Sequence, residues 1–443
     1  MQKCFTSHEG CLEHNFLLQT ALEDSRRRGS ELCIAWLDLA NAFGSVPHSH
    51  IFGTLELLGM PASLLDVVGD LYSGCVTQAM TTVGLTDDIP ILSGVKQGCP
   101  LSPVIFDLAM EPIVRALLDR QEALGYRLFQ QGGEGVPVSI LAYAVDLSLV
   151  VKDEWALQTL LNLAVEVANW SGLQFSPRKC ATFHVGRRSG GRQGTVDSSF
   201  TIEDSPIPSL REGQHYRHLG VPTGFRSQQT PTDTIIGIGD DLDRINASLL
   251  APWQKLDAVR TFLLPRLDFL LRGADVAVTP LNDLDRRIKT FAKRCLFLPK
   301  RASNEPVYLL PSQGGAGLLP LRDVRYALTV AQGFRLLSSP NPLVRTVAWV
   351  SLRDVVGRKQ GLEPSNEDLI AYLNGSGSGE GGPRSFWARV RRSTIELSKR
   401  TQGYWFWSTV KEELQFVLPR PDADPNCVRV HPGVRRLLCQ HLK

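Results

Sequence analysis

The segment LCIAWLD, at 32–38, places a carboxylate directly after six apolar residues. An apolar run without alternating polar positions is typical of a strand that is buried on both faces of a sheet. A second strand-like segment, SILAYAVDLSLVV at 139–151, also carries one acid, Asp146, near a tight turn. A carboxylate among apolar residues must reach water, pair with another polar group or bind a cation, because burial of an unpaired charge costs several kcal/mol of free energy. For either acid alone a solvated strand end explains the pattern equally well, whereas the pair favours a shared site for a hard metal ion.

Hydrophobic periodicity and turn residues indicate the other elements of the chain. Helices are predicted over 12–28, 48–58, 62–72 and 154–171, and a Gly/Pro-rich loop after residue 92 leads into a further helix. We predict a hairpin over 138–151, a Gly/Ser-rich loop over 186–199 and a mostly helical region from 235 to 355. A flexible linker is predicted over 374–383, followed by a basic helix.

Composition excludes several classes of protein. With 48 basic and 45 acidic side chains the net charge is only +3, so any contact with nucleic acid must be local. The nine cysteines form no CxxC pair, which argues against a disulfide framework or a zinc ribbon and favours a reducing compartment. No apolar run reaches the roughly 18 residues that a membrane span requires. We therefore expect an intracellular protein with no membrane partner, and leave nuclear import open.

Five segments in order resemble the successive motifs of reverse transcriptases: LDLANAFGSVPH, GVKQGCPLSPVIFDLAMEP, LAYAVDLSLVV, GLQFSPRKC and YRHLGVP. The likeness is greatest to the enzymes of non-LTR retrotransposons, in particular the branch with a C-terminal restriction-like endonuclease. QKCFTSHEGCLEH is similar to the segment before the first catalytic acid of that branch, and GGAGLLPLRDVRYAL is similar to its thumb.

This resemblance covers residues 1 to about 355 and implies an α+β fold, a right-hand polymerase palm with partial fingers and a helical thumb. The implied regions are a remnant of the fingers at 1–30, a palm with fingers insertions at 31–225, a helical thumb at 226–355, and a linker with a C-terminal extension at 356–443. The implied substrates are deoxynucleoside triphosphates, an RNA template and a DNA primer.

The resemblance also implies two-metal chemistry, in which carboxylates at adjacent strand ends hold two Mg²⁺ ions beside the primer hydroxyl and the leaving pyrophosphate. Asp38 matches the first metal ligand, the carbonyl of Leu39 matches a backbone ligand, and Asp146 matches an acid of the hairpin motif. Lys179 is similar to the lysine proposed to protonate pyrophosphate, although a surface lysine after a turn is nearly as good an explanation.

Further positions match the family's nucleotide pocket. Phe43 matches the aromatic residue that screens the sugar 2′ position, with plain core packing as the alternative. Gln97 and Gly98 match the loop that lines the nucleotide and template pocket, where glycine permits close approach of the backbone. Tyr143 matches the aromatic residue of the hairpin motif and is expected to contact substrate.

The chain departs from the family at two places. The family hairpin reads aromatic, Ala, Asp, Asp, and here Val145 stands in place of the first acid. Asp146 cannot replace it without a register slip that would turn apolar side chains outward. We therefore expect metal occupancy and nucleotidyl transfer to be lower by orders of magnitude. The chain also begins at QKCF, without the preceding fingers, and Cys427, His431, Cys439 and His441 lack the spacing of the family's zinc knuckle.

Basic residues suggest a nucleic-acid surface. In LNDLDRRIKTFAKRCLF (281–297) the apolar residues recur at helical spacing, and Arg286, Lys289 and Lys293 fall on the other face. With the resemblance, this pattern favours a thumb helix that follows a phosphate backbone, and a solvated helix face is the alternative. RSFWARVRRSTIELSKR is a second basic helix. The rival hypothesis for the whole chain is a non-catalytic nucleic-acid-binding protein that keeps palm and thumb as a scaffold.

Overall fold

A computed structural model describes residues 2–6, 9–131, 134–188, 191–360, 363–376, 385–419 and 432–442. The chain divides into two compact units. The first comprises residues 1–219 with 223–227, and the second comprises 220–222 with 228–443. The division into four regions at 31, 226 and 356 stays a prediction.

Strands are concentrated in the first unit. In chain order they are β1 Leu32–Leu37, β2 Val76–Thr77, β3 Met80–Thr81, β4 Gly84–Leu85, β5 Ile89–Pro90, β6 Tyr126–Gln131, β7 Glu134–Val138, β8 Ile140–Tyr143, β9 Asp146–Val151, β10 Ala181–Arg187, β11 Gln193–Thr195, β12 Thr201–Ile202, β13 Ser205–Pro206, β14 Tyr216–His218, β15 Val221–Thr223, β16 Tyr404–Ser408 and β17 Glu413–Val417.

Helices surround the strands of the first unit and make up most of the second. They are α1 Gly10–Arg28, α2 Ala42–Ser45, α3 His48–Leu57, α4 Ala62–Tyr72, α5 Ser102–Leu118, α6 Gln121–Leu124, α7 Glu154–Trp170, α8 Thr232–Ala247, α9 Pro252–Ala258, α10 Asp268–Gly273, α11 Val278–Cys295, α12 Glu305–Tyr308, α13 Leu321–Leu337, α14 Pro342–Gln360, α15 Asn366–Leu373, α16 Phe386–Thr401 and α17 Pro432–His441.

The centre of the first unit is an antiparallel sheet with strand order β11-β10-β1-β9-β8. Every residue of β1 is buried, which agrees with the doubly buried strand predicted at 32–37. Alternate residues of β1 join the apolar core that also contains the inner faces of α5 and α7. The sheet is therefore fixed by burial at its middle strand.

The predicted helices and strands agree with most of this unit, and two differences are informative. The segment 186–199, predicted to be a loop from its Gly and Ser content, contains β11, which pairs with β10. Backbone pairing and the Arg188 guanidinium, which donates to the carbonyl of Thr195 at 2.9 Å, hold this strand without large side chains. The hairpin of β6 and β7 was missed, because β7 contains a glycine and a proline and the pairing of the two strands includes a bulge.

The predicted linker, the C-terminal cysteines and histidines, and the absence of a membrane span concern other parts of the chain. Of the linker predicted at 374–383, residues 377–383 lie outside the described residues, as do Cys427 and His431. Within the described part of the chain no helix is long and apolar enough to cross a bilayer. The eight described cysteines are free thiols.

A buried carboxylate joins α1 to the β6–β7 hairpin. Asp24 is fully buried and forms ion pairs with Arg27 at 2.7 Å and Arg28 at 2.6 Å. Its Oδ2 also accepts hydrogen bonds from the hydroxyl of Tyr126 at 3.0 Å and the amide of Phe129 at 3.2 Å. Loss of this charge would leave several donors without an acceptor.

We expect Asp24→Asn to lower the free energy of unfolding by about 3–5 kcal/mol, because one partner of a buried, hydrogen-bonded charge cluster is removed. Urea denaturation measures this change. The matched control is Asp66→Asn on the exposed side of α4, where a change within about 0.5 kcal/mol is expected. Equal effects of the two substitutions would contradict a structural role for the Asp24 cluster.

Candidate active site

The two acids singled out from the sequence lie opposite each other at the ends of two neighbouring strands, β1 and β9. In the β1–β9 pairing Leu37 lies opposite Leu147, so the next pair in the same register is Asp38 with Asp146. Opposed residues of an antiparallel pair project to the same face. Asp38 is partly exposed, with 29% of its side chain accessible, and Asp146 is half-buried. The structure thus brings both carboxylates to one solvent-accessible place.

The electrostatics of the two acids show that they interact. Burial raises the pKa of the Asp146 carboxyl above its ordinary value, and the negative charge of Asp38 raises it further. Two carboxylates held together without a cation repel each other, so one of them retains its proton more strongly. A cation bound between them would remove this repulsion.

The turn between β8 and β9 consists of Ala144 and Val145. Ala144 adopts a positive φ of 50°. The side chain of Gln2 holds this turn from outside: its Oε1 accepts the Ala144 amide at 2.8 Å and its Nε2 donates to the Ala144 carbonyl at 3.3 Å. Val145 packs against the apolar core of the sheet. The turn therefore holds an apolar side chain directly before Asp146, and sequence reasoning gave no signal for Gln2.

The segment after α7 brings a lysine to the first acid. The amide of Ser176 donates to the carbonyl of Asp38 at 2.8 Å, and the amide of Asp38 donates to Cys180 Sγ at 3.4 Å. Between these attachments, Lys179 Nζ lies 3.7 Å from Asp38 Oδ1, with 66% of the lysine side chain exposed. Lys179 thus combines proximity to the acid with access to solvent.

Leu39 is buried and forms an isolated antiparallel bridge with Phe175. The hydrogen bonds that flank this bridge use the carbonyls of Asp38 and Gln174, each at 2.8 Å. Neither bond uses the carbonyl of Leu39. The Leu39 carbonyl oxygen, which is expected to act as a ligand, therefore accepts neither of the hydrogen bonds that hold this segment.

The residues expected in the nucleotide pocket form two groups. Phe43 is half-buried and packs on Phe106 with ring centroids 4.3 Å apart, so core packing explains part of its environment. Its carbonyl accepts the amide of Val95 at 2.7 Å and thereby attaches the loop that follows. Gln97 and Gly98 are exposed just beyond this attachment, and Gly98 has a φ of 89° that a side chain would strain.

Two tyrosines share the face of the acids. Tyr143 lies opposite Asp146 in the hairpin, and hydrogen bonding with the Cys11 thiol, together with burial, raises the pKa of its hydroxyl. Tyr216 stacks on Trp36 with centroids 4.7 Å apart. Burial raises the pKa of Tyr216, and the charges of Asp146 and Asp38 add to that effect. Tyr216 was not predicted as a site residue, although YRHLGVP contains it.

The basic helix α11 differs from its predicted pattern. Its apolar stripe is buried as expected, and Arg286 is exposed beside Asp283. Lys289 is mostly covered and pairs with Asp285 at 3.2 Å. The placement of Lys293 on the exposed face was wrong: the residue is buried, and its ammonium donates to the carbonyls of Lys300 at 3.1 Å and Ala302 at 2.6 Å.

The second basic helix, α16, is also engaged within its own unit. Arg391 donates to the carbonyl of Tyr372 at 3.0 Å, and Arg389 lies 3.7 Å from Asp275. Arg400 forms an ion pair with Asp323, which is fully buried. These cations stabilise the second unit, so charge on this helix is weak support for a nucleic-acid surface.

The donor set at the acid pair fits a hard divalent cation. Carboxylate oxygens of Asp38 and Asp146 and the carbonyl of Leu39 are the ligand types that such ions prefer. The Val145 side chain offers no oxygen, so the turn does not supply the further carboxylate that a pair of ions would share. The residues present fit one cation better than two.

Comparison with known proteins assigns the sequence to a family. Residues 2–226 match the family profile described as Reverse transcriptase (RNA-dependent DNA polymerase). The Retrovirus-related Pol polyprotein from type-2 retrotransposable element R2DM of Drosophila melanogaster is 30% identical over 73% of this chain and 30% of its own length. A Pol polyprotein from type-1 retrotransposable element R2 of Popillia japonica is 29% identical over 72% of this chain and 44% of its own.

The chain thus spans less than half the length of these two relatives. Among solved structures, telomerase from Candida albicans with a fragment of telomeric RNA aligns at a TM-score of 0.38 and 13% identity, over 76% of this chain and 52% of that one. A similarity this low carries no argument, and the assignment follows from the family profile and the R2 sequences. They confirm the predicted α+β fold of a reverse transcriptase, and the extent of the fingers stays a prediction.

The profile covers the paired acids, the hairpin with its valine and the lysine segment, which are the elements that the sequence motifs had indicated. The chain therefore belongs to the reverse transcriptase family, and its first unit carries a reverse transcriptase domain of the kind found in non-LTR retrotransposons of the R2 type.

Proposed function

We propose that this domain carries out RNA-templated nucleotidyl transfer, extending a DNA primer with deoxynucleoside triphosphates, at a rate strongly reduced by Val145. Membership of the family supports the reaction class. The observation that carries the proposal is the register that sets Asp38 opposite Asp146 beside a turn without a second acid. The DNA primer implies a DNA-containing compartment such as the nucleus.

In this proposal Asp38, Asp146 and the Leu39 carbonyl hold Mg²⁺. The ion, when bound, stabilises negative charge on the reacting phosphate and favours ionisation of the primer hydroxyl. The carboxylates orient the ion and need to be ionised to do so, which the raised pKa of Asp146 opposes at low pH. Lys179 lies near Asp38 and is exposed, a position that suits proton donation to departing pyrophosphate.

The remaining residues position the substrates. Phe43, with one side packed on the core, is assigned to the sugar of the incoming nucleotide. Gln97, Gly98 and Tyr143 are assigned to the nucleotide and template pocket. On α11, Arg286 and Lys289 are assigned to the nucleic-acid backbone, whereas burial of Lys293 argues against such a role.

The reduced rate follows from the turn. Val145 is packed on the core and Ala144 is held by Gln2, so the hairpin register that directs Asp146 toward Asp38 is well fixed. A shift of one residue would expose the apolar side chains of β9. Asp146 therefore remains opposite Asp38 and cannot also supply the carboxylate that the family has at position 145.

A second function is a non-catalytic nucleic-acid-binding protein that retains the polymerase fold as a scaffold. Val145 is the specific observation in its favour, because the substitution keeps the hairpin packed while it removes a ligand oxygen. In this case RNA binding would persist without synthesis and would weaken as salt increases.

Primer extension on an RNA template tests the proposal. We expect the unaltered chain to extend weakly and Val145→Asp to extend at least about 100-fold faster, because a metal-binding oxygen worth several kcal/mol of charge stabilisation is restored. Val145→Ala is the matched control, since it relaxes the packing without adding an oxygen. Addition of Asp38→Asn to Val145→Asp is expected to abolish the gain.

Robust Mg²⁺-dependent extension by the unaltered chain would contradict the claim of impairment. If neither the unaltered chain nor Val145→Asp extends, while both bind RNA in a salt-dependent manner, the binding function is favoured instead.

The coupling of the two acids predicts a pH effect. We expect Asp38→Asn to lower the pKa of Asp146 toward its ordinary value, because a neighbouring negative charge is removed. A carboxyl whose pKa is raised in the folded state contributes stability at low pH, which is lost as pH rises through that pKa. The variant should therefore show a weaker loss of stability between the ordinary and the raised pKa.

Carbon-13 NMR titration of the aspartate carboxyls measures the shift, and urea denaturation across pH measures the linked stability. Asp66→Asn, on the exposed side of α4, serves as the control and should leave the titration of Asp146 unchanged. An identical titration of Asp146 in Asp38→Asn would show that the two carboxylates do not interact.

A further inference from the structure

A second group of side chains of the types that ligate metals lies at the other end of β1. Glu31, directly before the strand, and Cys33 are two residues apart and project to the same side. Cys33 lies opposite His184 in the β1–β10 pairing. One ligand atom from each of the three side chains lies within 4.8 Å of the others. The distance from Cys33 to Asp38 along the strand is about 17 Å, at ~3.4 Å per residue. Cys33 and Asp38 also face opposite sides of the sheet, because odd and even positions of a strand alternate. This group is therefore separate from the acid pair.

A serine hydroxyl orients the histidine ring of this cluster. His184 Nδ1 lies 2.7 Å from Ser198 Oγ, a contact of the kind that fixes the ring and tautomer of a metal-binding histidine. Its Nε2 is buried and points to Glu31 Oε1 at 3.0 Å. Among the described residues, Nε2 has no well-directed hydrogen bond, and a cation placed between this nitrogen and the Glu31 carboxylate could contact both.

Space and charge at the cluster also suit a cation. The register places Gly186 opposite Glu31, and a Cβ at this position would lie 3.1 Å from Val196 Cγ2, 3.4 Å from His184 Nε2 and 3.9 Å from Glu31 Cγ. Glycine thus leaves room beside the ligand atoms. Burial raises the pKa of the Cys33 thiol, and the charges of Glu31, Glu154 and Asp153 raise it further, so the surroundings of the thiol are negative.

We propose that Glu31, Cys33 and His184 bind one Zn²⁺ ion, with water as the fourth ligand. Thiolate and imidazole ligands select Zn²⁺ over the Mg²⁺ assigned to the acid pair. Tetrahedral bonds of about 2.0–2.3 Å place ligand atoms roughly 3.3–3.8 Å apart, so the observed atoms need only small movements. Cys33 releases its thiol proton to solvent on binding.

The ion joins β1 to β10 at the end of β1 that lies away from Asp38, and so stabilises the pairing of the two strands. This site does not depend on the proposed polymerase activity, because none of its ligands belongs to the acid pair. Loss of nucleotidyl transfer would therefore leave Zn²⁺ binding unchanged.

The test is metal binding by the full chain after chelation. We expect one Zn²⁺ per chain by elemental analysis, and Co²⁺ in its place should give the near-ultraviolet absorption of a cobalt–thiolate bond. Cys33→Ala should lose this absorption. Glu31→Gln, at an exposed carboxylate whose loss does not threaten folding, should weaken Zn²⁺ binding at least about 10-fold in competition with a chromophoric chelator.

Two variants test the geometry around the ligands. Ser198→Ala should weaken binding by about 10–100-fold through loss of the histidine's support. Gly186→Ala should weaken binding as well, because its methyl group would fill the space beside Nε2. Glu56→Gln and Cys99→Ala, elsewhere in the same unit, are the controls and should bind as the unaltered chain does.

Absence of stoichiometric Zn²⁺ binding, or equal binding by the unaltered chain and Glu31→Gln, would overturn the proposal. Circular dichroism of each metal-free variant shows whether it is folded. If Cys33→Ala does not fold, the comparison of Glu31→Gln and Ser198→Ala with the controls decides the outcome.

Discussion

The burial of β1 on both faces is the constraint on which the rest of the first unit depends. Because the strand is enclosed by β9 and β10 and covered by helices, its register against both neighbours is fixed. A shift by one residue would turn apolar side chains of the sheet to the wrong face. The same register sets Asp38 opposite Asp146 at one end and Cys33 opposite His184 at the other. Packing of the apolar side chains of β1 thereby determines which polar side chains at its two ends lie opposite each other.

Val145 shows how the same constraint separates fold from chemistry. A valine in the turn packs on the apolar core, and Gln2 secures the neighbouring backbone, so the hairpin keeps its register. An aspartate at that position would provide oxygen ligands for a cation at the acid pair. The substitution is therefore compatible with the polymerase fold and unfavourable for two-metal catalysis. Family membership and catalytic capacity are distinct properties of this chain.

The fold could be predicted from sequence where a single local pattern dominates. β1 follows from six consecutive apolar residues, and α4 was predicted at its observed bounds from its periodicity. The β11 strand was missed because backbone hydrogen bonds and an arginine side chain hold a segment whose composition indicates a loop. Lys293 was misplaced because helical periodicity cannot show that a following loop returns its carbonyls to the ammonium. The partners of Asp38 and Asp146 other than Lys179, such as Tyr216, depend on tertiary contacts that no spacing encodes.

The most direct measurement of the central claim is the number of Mn²⁺ ions bound, with Mn²⁺ serving as a paramagnetic substitute for Mg²⁺. Electron paramagnetic resonance titration of the unaltered chain and of Val145→Asp would count the ions at the acid pair, with Asp38→Asn to identify them. We expect the unaltered chain to bind one ion at most at the acid pair, Val145→Asp to bind a second, and Asp38→Asn to remove both. Two tightly bound ions in the unaltered chain, both sensitive to Asp38→Asn, would contradict this expectation.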